Sequence, residues 1–134
     1  MSIPSEFLGK FAYDHHEDFD KYLEDLKNIL MSGGSFELTK ISEGRYSFEG
    51  RSLGKSIKYE FVLDVIVESK GFDDKVAQCA MHFKDGALSE RRVTKDKKGL
   101  DEVVLSTFTV RGDMVCQKIE TKGTGCKRFF KREK

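Results

Sequence analysis

From residue 36 to the C-terminus, apolar and polar positions alternate along the chain. Ile57, Tyr59, Phe61 and Leu63 stand against Lys58, Glu60 and Asp64, and Ala77, Cys79, Met81 and Phe83 repeat the pattern before Asp85-Gly86. A period of two sends successive side chains to opposite faces of a strand, and Asp-Gly after such a run marks a tight hairpin. Glycine-bearing and charged turns recur at short intervals, so the pattern predicts strands at 36–42, 45–51, 57–63, 65–70, 76–84, 87–94, 102–110, 114–120 and 126–132. An earlier strand is predicted over 7–13, where Phe7, Gly9, Phe11 and Tyr13 share one side. Between the first strand and the rest the period changes. Phe19, Tyr22, Leu23, Leu26, Ile29 and Leu30 fall at spacings of three and four. That spacing predicts one amphipathic helix, or two short ones in series, with Asp14 as the N-cap and Ser32-Gly33-Gly34-Ser35 as the stop.

About ten strands joined by short turns leave no room for parallel crossovers, which need a dozen or more residues each. A meander of that many strands with one apolar face removes its edges by closing on itself. The expected fold is therefore all-β: a ten-stranded antiparallel up-and-down β-barrel capped by an N-terminal helix-turn-helix, a lipocalin-like (calycin) architecture in which residues 1–134 form a single domain. A barrel of this size has room for more than its own side chains and encloses a cavity for one small ligand.

Composition narrows the functional classes. Eleven Phe and four Tyr supply a large apolar area in a chain that is 35% charged. The formal charge is +1, from 24 basic and 23 acidic residues, so a nucleic-acid partner, which needs a clear basic excess, is not expected. Cys79, Cys116 and Cys126 have no paired or metal-binding spacing and lie in apolar stretches, which reads as three buried small hydrophobes in a reducing compartment. The N-terminus lacks a signal-peptide pattern and no segment approaches a membrane span, so a soluble, cytoplasmic protein is expected. His15 and His16 have no third ligand at fixed spacing and read as a solvated helix start rather than a metal site. No catalytic constellation is legible, so a non-enzymatic protein without a cofactor is expected.

Phe7-Leu8-Gly9-Lys10-Phe11, followed by Glu17-Asp18-Phe19-Asp20-Lys21-Tyr22-Leu23, resembles the N-terminal signature of the intracellular lipid-binding proteins, F-x-G-x-W/F and then E-N-F-D-x-Y-L/M. The similarity continues weakly through Asp73-Asp74-Lys75 and Lys84-Asp85-Gly86-Ala87-Leu88, and returns at Lys127 to Glu133. This family includes the fatty-acid-binding proteins and the cellular retinoid carriers. The resemblance implies an intracellular, monomeric carrier of a long-chain fatty acid or similar lipid, cytoplasmic and in part nuclear. It implies transient membrane contact through a helical portal, and ligand contacts from Phe19, Tyr22, Leu23 and Leu53. The helical segment is a few residues shorter than is usual in the family, and acidic, with Lys21 and Lys27 as its cations.

In the family the last strand carries an inward arginine and, two residues on, a tyrosine, which together hold the ligand carboxylate. Arg128 matches the arginine, and Phe130 stands where the tyrosine would be. A guanidinium binds a carboxylate through paired charge-assisted hydrogen bonds, so Arg128 is expected to be the main anchor. A second family arginine on the eighth strand would fall near Thr107, where this chain has none. Thr107 or Thr109 with water, or Arg92 from another strand, then completes the head-group site. If Leu88 faces inward, so do Glu90, Arg92 and Thr94; the favoured reading is the reverse, with Glu90 and Arg92 solvated beside Arg91. Two other functions remain open: a retinoid or other hydrophobic-acid carrier of the same fold, and a ligand-free barrel that acts through its surface.

Overall fold

Alternation becomes pairing in a single ten-stranded antiparallel sheet. The computed structural model describes residues 3–17, 34–52, 54–70, 76–95, 98–121 and 124–133. A 3₁₀ turn over Ser5–Phe7 precedes β1 (Gly9–Glu17), β2 (Ser35–Ser42), β3 (Arg45–Ser52), β4 (Lys55–Val62) and β5 (Val67–Lys70). There follow β6 (Val76–Lys84), β7 (Ala87–Lys95), β8 (Asp101–Arg111), β9 (Met114–Thr121) and β10 (Thr124–Arg132). Their order in the sheet is β4-β3-β2-β1-β10-β9-β8-β7-β6-β5. The first strand thus lies beside the last, with Phe11 opposite Arg132 and Tyr13 opposite Phe130. Strands β4 and β5 are the two ends of this order, which leaves a seam between them in a nearly closed barrel. Asp85 and Gly86 both have positive φ, +53° and +78°, as a two-residue hairpin of the mirror-image type requires.

The start of the chain departs from the sequence-based expectation. Phe7 belongs to the 3₁₀ turn, and β1 continues through Asp14 to Glu17, where a helix start was expected. The pairing explains this. Beyond a register shift between Tyr13 and His15, β1 stays bonded to β10, with His15 opposite Phe129 and the two rings stacked at 4.4 Å. The Asp14 carboxylate contacts His15 Nδ1 at 2.5 Å instead of capping a helix. A cross-strand ladder outweighs an N-cap preference of about 1 kcal/mol. The expected helical pair lies, from residue 18 onward, outside the described residues, as do Phe19, Tyr22, Leu23 and Leu53.

The core fills the inside of the sheet. Phe11, fully buried, stacks on Phe36 at 5.1 Å, and Phe36 meets the edge of Phe130 at 4.9 Å. Tyr46 stacks on Phe61 at 5.7 Å, and its hydroxyl accepts a hydrogen bond from the Ile3 N–H at 2.9 Å, which ties the N-terminal segment to the barrel. Burying each such ring contributes about 2 kcal/mol before packing is counted.

Gly9 shows why the signature holds a glycine. Its φ is +124°, and a Cβ there would stand 2.9 Å from Arg132 Nη1, which donates to the Leu8 carbonyl at 2.8 Å. Gly9→Ala therefore meets both backbone strain and a guanidinium held in place. It is expected to cost about 2 kcal/mol in urea unfolding, and a loss below about 0.5 kcal/mol would contradict the strain.

Candidate functional site

The ladders decide which side chains share the interior. On β10, Cys126, Arg128 and Phe130 are all buried; Arg128 pairs with Gln117 of β9 and Phe130 with Val115. On β8 the buried residues are Ser106 and Phe108, opposite Glu90 and Leu88 of β7. On β6, the buried Cys79 and Met81 oppose Arg92 and Glu90. Leu88, 3% exposed, thus brings Glu90 and Arg92 inward with it, so the pair favoured as solvated faces the interior. Thr107 sits between Ser106 and Phe108 and lies on the opposite face, because adjacent strand residues cannot share one. The inward hydroxyl of β8 is that of Ser106, which accepts a hydrogen bond from Gln117 Nε2 at 3.3 Å.

Arg128 is a buried cation set among rings. Its guanidinium carbon lies 4.8 Å from the centroid of Phe130 and 5.3 Å from that of Tyr13, within the range of a cation–π contact. Phe130 offers the ring face in place of the hydroxyl that a tyrosine would bring. Burial pulls the Arg128 pKa down to about 10, opposed by the nearby Tyr13 and Cys126, so the group remains charged at neutral pH. An anion beside it would relieve the cost of holding a desolvated charge.

A second polar cluster stands on β7 and β4. Arg92 Nε lies 3.7 Å from Glu90 Oε1, with side-chain exposures of 15% and 13%. The Tyr59 hydroxyl donates a short hydrogen bond to Glu90 Oε2, and so links β4 to β7 behind the open seam. Burial, and after it the charge and hydrogen bond of Glu90, hold the Tyr59 hydroxyl protonated far above the ordinary phenol range. Burial likewise pushes the Cys79 thiol up to about 11, against the nearby Arg92, which keeps it an unreactive small hydrophobe. Tyr59 and Gln117 were not singled out from sequence as polar groups of the site. The alternation that puts Tyr59 beside Phe61 was a signal for one; nothing local marked the other.

Apolar walls complete the interior. The free space among them is small, a cavity of about 10 Å³ lined by Phe7, Phe36, Leu38, Phe48, Leu88, Phe108 and Val115. Its lining is apolar, and a chain longer than this space enters only where these side chains move apart. Buried cations beside apolar walls make an interior suited to an amphiphile.

The same architecture recurs in known proteins, with sequence similarity along nearly the whole chain. The fatty acid-binding protein homolog 3 of Caenorhabditis elegans is 29% identical over 140 residues, covering 97% of this chain and 84% of the relative. The curated relatives of this chain and its structural neighbours are fatty-acid-binding proteins. The structure of As-p18, an extracellular fatty acid binding protein, superposes with a TM-score of 0.86 at 21% identity and covers 99% of this chain and 100% of its own. A Schistosoma mansoni fatty acid binding protein in complex with arachidonic acid superposes at 0.80 with 17% identity, over 97% of this chain and 98% of its own. No protein-family model matches the sequence. The relatives are binding proteins, and the resemblance carried by the Phe7 to Phe11 and Glu17 to Leu23 motifs is upheld across nearly the whole chain.

Proposed function

We propose that the protein is a monomeric carrier that takes up one long-chain fatty acid, or a similar hydrophobic acid, inside the barrel and delivers it within the cell. The observation that carries this reading is the buried, charged Arg128 on the interior face of β10, next to apolar walls, in a relative of fatty-acid-binding proteins. The carboxylate sits on the Arg128 guanidinium, and the tail runs between Phe36, Leu88 and Phe108, whose side chains move apart to admit it. Burying about sixteen methylenes at ~0.8 kcal/mol each gives a gross driving force near 13 kcal/mol. Association and ordering consume several kcal/mol of it, which leaves a sub-micromolar affinity. Cys79, Cys116 and Cys126 form no disulfide among the described residues, in keeping with a reducing compartment. Delivery through transient contact of the portal with membranes completes the reading.

Displacement of a fluorescent fatty acid from the delipidated protein tests this. Oleate and stearate are expected to compete at sub-micromolar concentration, and retinoic acid more weakly. Absence of binding by every acid would overturn the carrier reading in favour of a barrel that acts through its surface.

A further inference from the structure

The Arg92 cluster holds more hydrogen-bond donors than its partners use. Nη1 and Nη2 of Arg92 are buried and have no hydrogen-bond partner among the described residues. Glu90 meets the guanidinium only through Nε, and its other oxygen is taken by the Tyr59 hydroxyl. Buried polar groups are nearly always satisfied, and an orphaned charged donor is costly, so two unpartnered NH2 groups of a guanidinium on an interior wall ask for an acceptor. The charge of the cluster says which kind. Glu90 already balances Arg92, so a second carboxylate here would place two like charges side by side in a low dielectric. An uncharged oxygen takes the same donors without that penalty.

The cluster is also remote from the acid end. Arg128 pairs with Gln117, Gln117 with Phe108 and Phe108 with Leu88, and Arg92 lies four residues further along β7. Three strand spacings and four residues separate the two arginines by about 20 Å along the curved wall. A ligand held by its carboxylate at Arg128 therefore meets Arg92 well along its chain.

We infer that the Arg92–Glu90–Tyr59 cluster is a second ligand subsite that receives a neutral oxygen on the chain, so that the preferred cargo is an oxygenated fatty acid bearing a hydroxyl, keto or epoxide group. The inference rests on the carrier reading and specifies its ligand class. Arg92 donates to the chain oxygen through Nη1 and Nη2, and Glu90, steadied by Tyr59, orients the guanidinium. Position along the chain becomes a selection criterion, because the oxygen must reach Arg92 while the carboxylate stays at Arg128.

Calorimetric titration of the delipidated protein with stearic acid and a set of hydroxystearic acid positional isomers tests this. One isomer hydroxylated at or beyond mid-chain is expected to bind at least fivefold more tightly than stearic acid, and the dicarboxylic acid of the same length more weakly than that isomer. In the Glu90→Gln/Arg92→Met variant, which removes both charges together, the ratio of hydroxystearic to stearic affinity is expected to fall to about one. If stearic acid binds and no isomer is preferred, or if the preference survives in the variant, the subsite is overturned while the carrier reading stands. If no acid binds, both fall. Should the variant not fold, the isomer series on the unaltered protein decides alone.

Discussion

Arg128→Ala is expected to weaken fatty-acid binding at least tenfold without loss of the barrel. The lost interaction is a charge-assisted pair between a guanidinium and a carboxylate, worth about 1.5–3 kcal/mol, or roughly tenfold to more than a hundredfold in affinity. Folding should survive because the residue costs stability where it stands. A base whose folded pKa is depressed, here to about 10 by burial, is destabilising wherever it is charged in both states. That cost holds through the neutral range and eases only as pH rises past about 10, so removing the charge does not penalise the fold at pH 7. Arg128→Met keeps most of the packing against Tyr13 and Phe130 and should give the same binding loss. A fatty-acid methyl ester, with no charge to lose, should bind the parent and both variants within about threefold. Titration with oleate and its methyl ester separates these cases, and an unchanged oleate affinity in Arg128→Ala would remove this residue from the site.

Arg92→Leu should destabilise the protein by about 3 kcal/mol, because it leaves the Glu90 carboxylate buried with only the Tyr59 hydroxyl for a partner. In a domain of this size that lowers the melting temperature by roughly 10 °C. Glu90→Gln/Arg92→Met removes both charges and keeps an acceptor for Tyr59, so it should recover most of the loss. Thermal unfolding of the two variants followed by circular dichroism checks the pair. A single variant as stable as the parent would mean that Glu90 reaches water and that the interior placement of the pair is wrong.

Much of this molecule was legible from local signals. Asp85-Gly86 marks its hairpin because few residue pairs accept two consecutive positive φ angles. Arg128 and Phe130 share a face because they are two apart in a strand, and the burial of Phe130 confirms that this face is the interior. Asp14 misled because its N-cap preference is a short-range tendency, whereas the ladder to β10 that overrides it comes from residues more than a hundred positions away. Thr107 failed as a site residue for a one-position reason. The family resemblance placed the missing arginine near it, but the inward phase of β8 is set by Phe108, which makes Ser106 the inward hydroxyl.

The sequence by itself determined the strands, their antiparallel order and which residues keep company on each face, since alternation and turn chemistry are properties of neighbouring residues. It could not say which face of β7 is the inside. Leu88, Glu90 and Arg92 travel together in either reading, and the charges of two of them argue for water. Only the closing of the sheet settled the matter, by pairing Leu88 with Phe108 and Arg92 with the fully buried Cys79 and by bringing Tyr59 to Glu90 from the other side of the seam. A buried charge is tolerated where a partner from a distant strand meets it, and that partner is decided by tertiary structure alone.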